Sequence, residues 1–128
     1  MRKISKKTLK NKADKLFSLL IRKRGTCEMC GQDKKDLQCA HVITRSTIHL
    51  RYDTRNSLCL CSGCHLRWHH SPLWAITWYK SVYPENAKYL LKQKNVIERN
   101  FDYQEVIDKL KKTIHEVELN EEADKGEF

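Results

Sequence analysis

Between Lys6 and Lys23, the apolar residues Leu9, Ala13, Leu16, Phe17 and Leu20 recur at three- and four-residue intervals. Lysines fill the opposite face, so the pattern predicts a basic amphipathic helix ending before Gly25. Two short apolar runs, Leu37 to Ile43 and Ser57 to Leu60, predict strands. Residues 44–56 between them, rich in Arg and Thr, read as a polar loop. Ser62 to His70 predicts a short helix stopped by Ser71-Pro72. Ser71 is placed to cap the next helix, with Pro72 at its first position and Trp74, Ile76 and Trp78 along it. Tyr83-Pro84 breaks that helix and opens another over residues 84–94. Asp102 and Glu105 have capping-box spacing and open a last helix reaching about residue 118. The acidic end from Asn120 to Phe128 is expected to fray.

These elements predict an α+β, mainly helical fold. A small core of two strands and a helix is flanked by an N-terminal basic helix and C-terminal helices. With 128 residues the chain fits one domain. Its expected parts are a basic arm (1–24), a central core (25–72), a helical C-terminal part (73–119) and an acidic tail (120–128). No apolar run approaches membrane-spanning length and the basic N-terminus lacks a signal-peptide pattern, so a cytoplasmic protein with no membrane partner is expected.

Charge changes the picture. The net charge is +9, and residues 1–24 carry ten Lys or Arg against Asp14 alone. Residues 116–128 are acidic, with six carboxylates against Lys125. A basic arm is the electrostatic footprint of a nucleic-acid partner, although a charge run by itself is more often a solvated helix face.

The six cysteines point to a metal. Without a secretory signal, paired CxxC spacings in a reducing compartment hold metal more often than disulfides. Cys27-Glu28-Met29-Cys30-Gly31 and Cys61-Ser62-Gly63-Cys64 each present two thiolates, and together they supply the four ligands of a structural Zn²⁺. A redox pair is the rival reading, but the βαβ setting of such motifs is missing. Cys39 and Cys59 remain, each expected to pack as a small hydrophobe within a strand. Cys59 is the better spare ligand, because it shares a strand side with Cys61.

Inside the zinc brackets His41 closes the first strand, Asn56 precedes the second, and His65 follows the last cysteine. His69 lies one helical turn on, so the two imidazoles share a face and are spaced to bind one cation together. A histidine at a strand end is ordinarily a partly buried structural residue, and an isolated Asn is ordinarily a turn residue. Their joint order is what raises a functional reading: phosphodiester hydrolysis needs a base for water and a cation for the developing charge. His70, beside Trp68, reads as part of an amphipathic patch.

The stretch Cys27 to His69 resembles the HNH (ββα-metal) nuclease family, in the subgroup with a four-cysteine structural zinc. The match rests on AH at 40–41, RYDTRN at 51–56 and CLCSGCH at 59–65. Within that family the chain is most similar to the phage NinG/Rap recombination nucleases, over about residues 25–95. The resemblance implies a ββα-metal core in which His41 is the general base and Asn56 bonds the loop backbone to hold it. His65 and His69 would take the places of metal ligands. It implies hydrolysis to a 5′-phosphate and a 3′-hydroxyl with one divalent ion such as Mg²⁺ or Mn²⁺, in the cytoplasm of a bacterial host if the protein is phage-encoded. One departure stands out: Ala40 occupies a position where many members carry a ligating Asp or His. The imidazoles left favour Zn²⁺, Ni²⁺, Co²⁺ or Mn²⁺ over Mg²⁺, and weak metal binding is expected without DNA.

The expected function is a metal-dependent DNA endonuclease acting on branched or single-strand-containing recombination intermediates. Arg45 and Arg51, flanking the loop beside the expected base, are the leading phosphate contacts, with Arg55 and Arg67 behind them. Lys6, Lys7, Lys10 and Arg22 to Arg24 are placed to extend the track. No recognition helix is evident, so binding should follow DNA shape and depend on salt. Trp74 and Trp78 are expected to pack the core, though an exposed one could wedge at a branched junction. Val106, Ile107, Leu110 and Ile114 could make a homodimer seam or simply cover the core. The alternatives are a zinc-containing DNA-binding module without catalysis, which Ala40 favours, and a protein-interaction zinc domain, which the basic arm disfavours.

Overall fold

The computed structural model of the chain describes residues 4–33, 35–96 and 101–126; residues 1–3 of the basic arm and 127–128 of the acidic tail lie outside them. The described residues hold six α-helices and one two-stranded sheet: α1 (Lys6–Arg22), β1 (Leu37–His41), α2 (Ile48–Arg51), β2 (Ser57–Cys61), α3 (Ser62–His70), α4 (Pro72–Val82), α5 (Pro84–Gln93) and α6 (Tyr103–Gly126). A 3₁₀ turn, Thr54–Asn56, leads into β2. Helix content dominates, as the hydrophobic spacing predicts. Among the described residues no helix is long and apolar enough to cross a membrane.

Contacts divide the chain into two compact units, at places other than the sequence divisions at 24, 72 and 119. Residues up to Leu20 group with those from Asp102 onward, and Ile21–Phe101 form the other unit. In the first unit, Ala13 and Phe17 of α1 and Ile107, Leu110 and Ile114 of α6 are buried. Ser5 caps α1, its Oγ accepting from the Thr8 N–H at 3.2 Å. Asp102 caps α6, its Oδ1 accepting from the N–H groups of Gln104 (2.9 Å) and Glu105 (3.3 Å). The expected frayed tail is instead helical to Gly126. Glu, Ala and Lys are good helix formers, and they carry the α6 ladder past the last apolar residues.

In the second unit β1 and β2 pair antiparallel, Leu37 opposite Cys61 and His41 opposite Ser57. Helix α3 packs on both strands, α4 on α3, and α5 on α4 and the 3₁₀ turn. Every residue of β2 is buried, and Ala40, Leu50, Leu58, Leu60, Trp68, Ala75, Tyr79 and Leu90 form the core with Cys27 and Cys61. Pro72 and Pro84 start α4 and α5 as expected, but Ser71 caps α4 without its side chain. The segment 44–56 is more than a polar loop. It contains α2 and the 3₁₀ turn, with Leu50, Arg51 and Asn56 buried, because Leu50 anchors it in the core.

Candidate metal centre and adjoining cleft

The thiolates come first because their geometry depends on the hairpin. Gly31, at φ +72°, lets the chain turn back so that its N–H donates to the Cys27 carbonyl at 2.8 Å. The turn is sewn to β2 twice: the Glu28 N–H donates to the Cys59 carbonyl (2.8 Å), and the Cys59 N–H donates to the Glu28 carboxylate (2.5 Å). That carboxylate also accepts from Arg24 (2.9 Å) and from the Tyr83 hydroxyl (2.9 Å). Cys27 and Cys30 thereby face Cys61 and Cys64, and all four Sγ atoms lie within 4.8 Å of one another.

Four sulfurs about 2.3 Å from one tetrahedral ion stand roughly 3.8 Å apart, so the cluster fits zinc. Its electrostatics agree. Burial disfavours the Cys27 thiolate, yet the N–H groups of Cys30, Cys61 and Met29 outweigh burial and draw it down to about 6. Cys64 is pushed strongly the other way, by burial and by the sulfurs of Cys61, Cys27 and Cys30. A cation is what allows four such sulfurs to be thiolates together. Cys59 is outside the cluster. It sits opposite Cys39 in the strand register, and burial raises both thiols, Cys39 to about 12.

The histidines gather on α3, the helix that packs on the same hairpin, and at the end of β1. His65 and His69, one turn apart on α3, have ring centroids 4.8 Å apart, tilted by 38°, and turn their Nε2 atoms to within 3.0 Å. On its other side His65 Nδ1 lies 2.6 Å from Gln38 Oε1. A carbonyl oxygen only accepts, so Nδ1 carries the proton and the His65 lone pair is on Nε2, toward His69. Two nitrogens about 2.1 Å from one ion stand roughly 3.0 Å apart at a right angle, so this spacing suits a shared cation. Burial lowers the pKa of His65, and the nearby His69 and His41 lower it further.

His41 and His69 line one open cleft, between the end of β1 and the α3–α4 junction, with Trp68 and Ile76. The ring of His41 is fixed by its Nε2–H, which donates to the Arg51 carbonyl at 2.9 Å; the lone pair of that neutral tautomer is on Nδ1. The segment leading into Arg51 is held in turn by Asn56. Fully buried, Asn56 accepts from the Ile43 N–H (2.7 Å) and donates to the carbonyls of Ile43 (3.0 Å) and Leu50 (3.1 Å). Ala40 is buried in the core and adds no ligand.

The arginines divide by role. Arg45 and Arg67 are exposed. Arg51 is buried and donates to the Arg45 carbonyl at 3.2 Å. Arg55 lies over the Tyr89 ring at 3.4 Å and is paired with Asp53, which also accepts from the Tyr89 hydroxyl. Arg24, expected on a phosphate track, instead ties the hairpin through the carbonyls of Ser57 (3.1 Å) and Thr54 (3.0 Å). Sequence reasoning missed Gln38, whose signal was its place on β1 two residues before Ala40. It also missed His49, whose Nε2–H donates to the Gln93 carbonyl at 2.5 Å and pins α2 to the end of α5. Compared with known proteins, the chain matches no family model, no curated protein and no solved structure.

Proposed function

We propose that the chain is a metal-dependent DNA endonuclease of the HNH class, hydrolysing phosphodiesters, with branched or single-strand-containing DNA as its substrate. The observation that carries this reading is the convergence of the His65 and His69 Nε2 atoms, with Gln38 behind them, in reach of the cleft where His41 is fixed through Arg51. That arrangement supports a ββα-metal core in which β1, β2 and α3 carry the chemistry and the four cysteines hold a structural zinc. His65 and His69 would bind the second ion, Mn²⁺ or Ni²⁺ more readily than Mg²⁺. When bound, a divalent ion supplies charge stabilisation to the phosphate and the leaving oxygen.

The chain's own groups do the rest. His41 accepts the proton of the attacking water on Nδ1, while the Arg51 carbonyl stabilises the imidazolium through Nε2–H. Asn56, bonded to the adjacent Leu50 carbonyl, holds the segment that carries it. Arg45 and Arg67, exposed on the hairpin loop and on α3, contact phosphates, and the lysines of α1 add salt-dependent affinity.

Buried Ala40, adding no ligand, supports the second reading, a DNA-binding module without catalysis. Plasmid nicking with Mn²⁺, Ni²⁺ and Mg²⁺ separates the two. Nicking by the wild type that disappears in His41→Ala supports the enzyme; DNA binding with no nicking under any metal supports the module.

A further inference from the structure

Helix α4 is unusually apolar for how much of it faces outward. Leu73 is 87% exposed and Trp74 37%, and Leu66, on α3, is 60% exposed. Isolated exposed apolar residues are ordinary, but several together mark a binding surface. The aromatic groups are also ordered. Trp78 and Trp74 lie nearly parallel, 16° apart with centroids separated by 6.3 Å, and the Arg67 guanidinium lies 3.5 Å over Trp74. The stack therefore runs from Trp78, packed against the core, out to an exposed cation.

Charge identifies the occupant. From Thr54 to Pro84 the chain contains no Asp or Glu, while it carries Arg55, Arg67 and Lys80 with three histidines. Positive charge with no carboxylate beside it in the chain favours a polyanionic partner. Aromatic and guanidinium planes amid positive charge are what unpaired bases stack on. The same helix reaches the cleft through Ile76, beside His41 and His69.

We infer that Trp74 and Arg67 form a stacking platform for an unpaired nucleobase, with Leu73 as the wedge beside it, so that the cleft receives DNA at a junction between paired and unpaired strands. This deepens the nuclease reading and rests on it for the identity of the polymer. In a splayed substrate the first unpaired base adds to the Arg67–Trp74 stack while its backbone runs toward the cleft.

The test measures binding in EDTA, so that it is independent of cleavage. Fluorescent oligonucleotides, one blunt duplex and one with a splayed single-stranded arm, are titrated against the 128-residue wild type, Trp74→Ala and Trp74→Phe. The wild type is expected to prefer the splayed DNA by about tenfold or more, from the usual worth of one base–aromatic stack. Trp74→Ala should lose that preference with its duplex affinity unchanged. Trp74→Phe should keep most of it. Equal affinity of the wild type for both DNAs, or a preference that survives in Trp74→Ala, overturns the proposal. Self-association in sedimentation velocity that Leu73→Asp abolishes, without effect on DNA binding, overturns it in favour of a homodimer face. Should splayed-DNA binding follow Trp74 while no protein nicks DNA, the nuclease reading fails and the platform stands.

Discussion

The four cysteines and the two histidines both present metal-ligating atoms around one hairpin, yet they are built in opposite ways. The sulfurs come from two turns more than thirty residues apart, close on one another within 4.8 Å and number the four that a tetrahedral ion takes. The imidazoles come from a single helical turn and supply only two nitrogens, with His69 lining a cleft. A closed tetrahedral set holds a fold together, whereas an incomplete set leaves positions for water and substrate. The difference teaches that ligand completeness separates the structural role from the reactive one.

Emptying the closed set should have the largest effect. Cys61→Ser, or removal of zinc by a strong chelator, should unfold the hairpin, since structural zinc contributes about 10 kcal/mol or more. Native mass spectrometry should find one zinc in the wild type and in Cys59→Ala, and none in Cys61→Ser. A zinc-free Cys59→Ala would reassign the ligands. His41→Ala should reduce nicking by about 10²- to 10⁴-fold while zinc content and melting temperature stay near wild type. Loss of zinc in that variant would erase the distinction between the two sets.

Asn56→Ala should cost about 3 kcal/mol in urea unfolding, because it strands buried backbone groups at Ile43 and Leu50. Gln38→Ala should raise the Mn²⁺ concentration needed for half-maximal nicking by about 10- to 100-fold without altering the zinc stoichiometry. An unchanged Mn²⁺ requirement would remove Gln38 from the site.

The smallest effect is expected at Asp53. Burial alone would raise its carboxyl, but the Tyr89 hydroxyl and the Arg55 N–H and guanidinium outweigh burial and hold it below the ordinary 3.8. The unfolded chain therefore binds this proton first as the pH falls. Its contribution is full above about pH 5 and is lost as the pH drops through the depressed value. Asp53→Asn should remove about 1 kcal/mol or less at pH 7, and its urea midpoint should fall less steeply than wild type below pH 5. Parallel pH profiles would show that the pairing is not stabilising.

Much of this arrangement is legible from short-range spacing. Each CxxC pair, the His65–His69 turn, both strands and the proline-initiated helices are local patterns, and they lie where the periodicity places them. What the sequence hides is long-range pairing. Nothing local marks Arg24 as the tie between Thr54 and Ser57, or Glu28 as the acceptor for Tyr83, 55 positions away. The segment 44–56 reads as a loop because its composition is polar, yet one leucine and a fully bonded asparagine suffice to bury part of it. Trp74 reads as core from its residue type alone; exposure depends on what packs around α4, which no periodicity states.

The pairing of Leu37 with Cys61 at one end of the hairpin and His41 with Ser57 at the other has a consequence for how the chain can vary in length. Adding or deleting one residue within either strand would turn alternate side chains to the opposite face. Either Cys61 would leave its sulfur neighbours or His41 would leave the cleft. Insertions between residues 37 and 61 are therefore tolerable only at the outer edge of the connecting segment, around the exposed Thr44, Arg45 and Ser46, where neither end has to move.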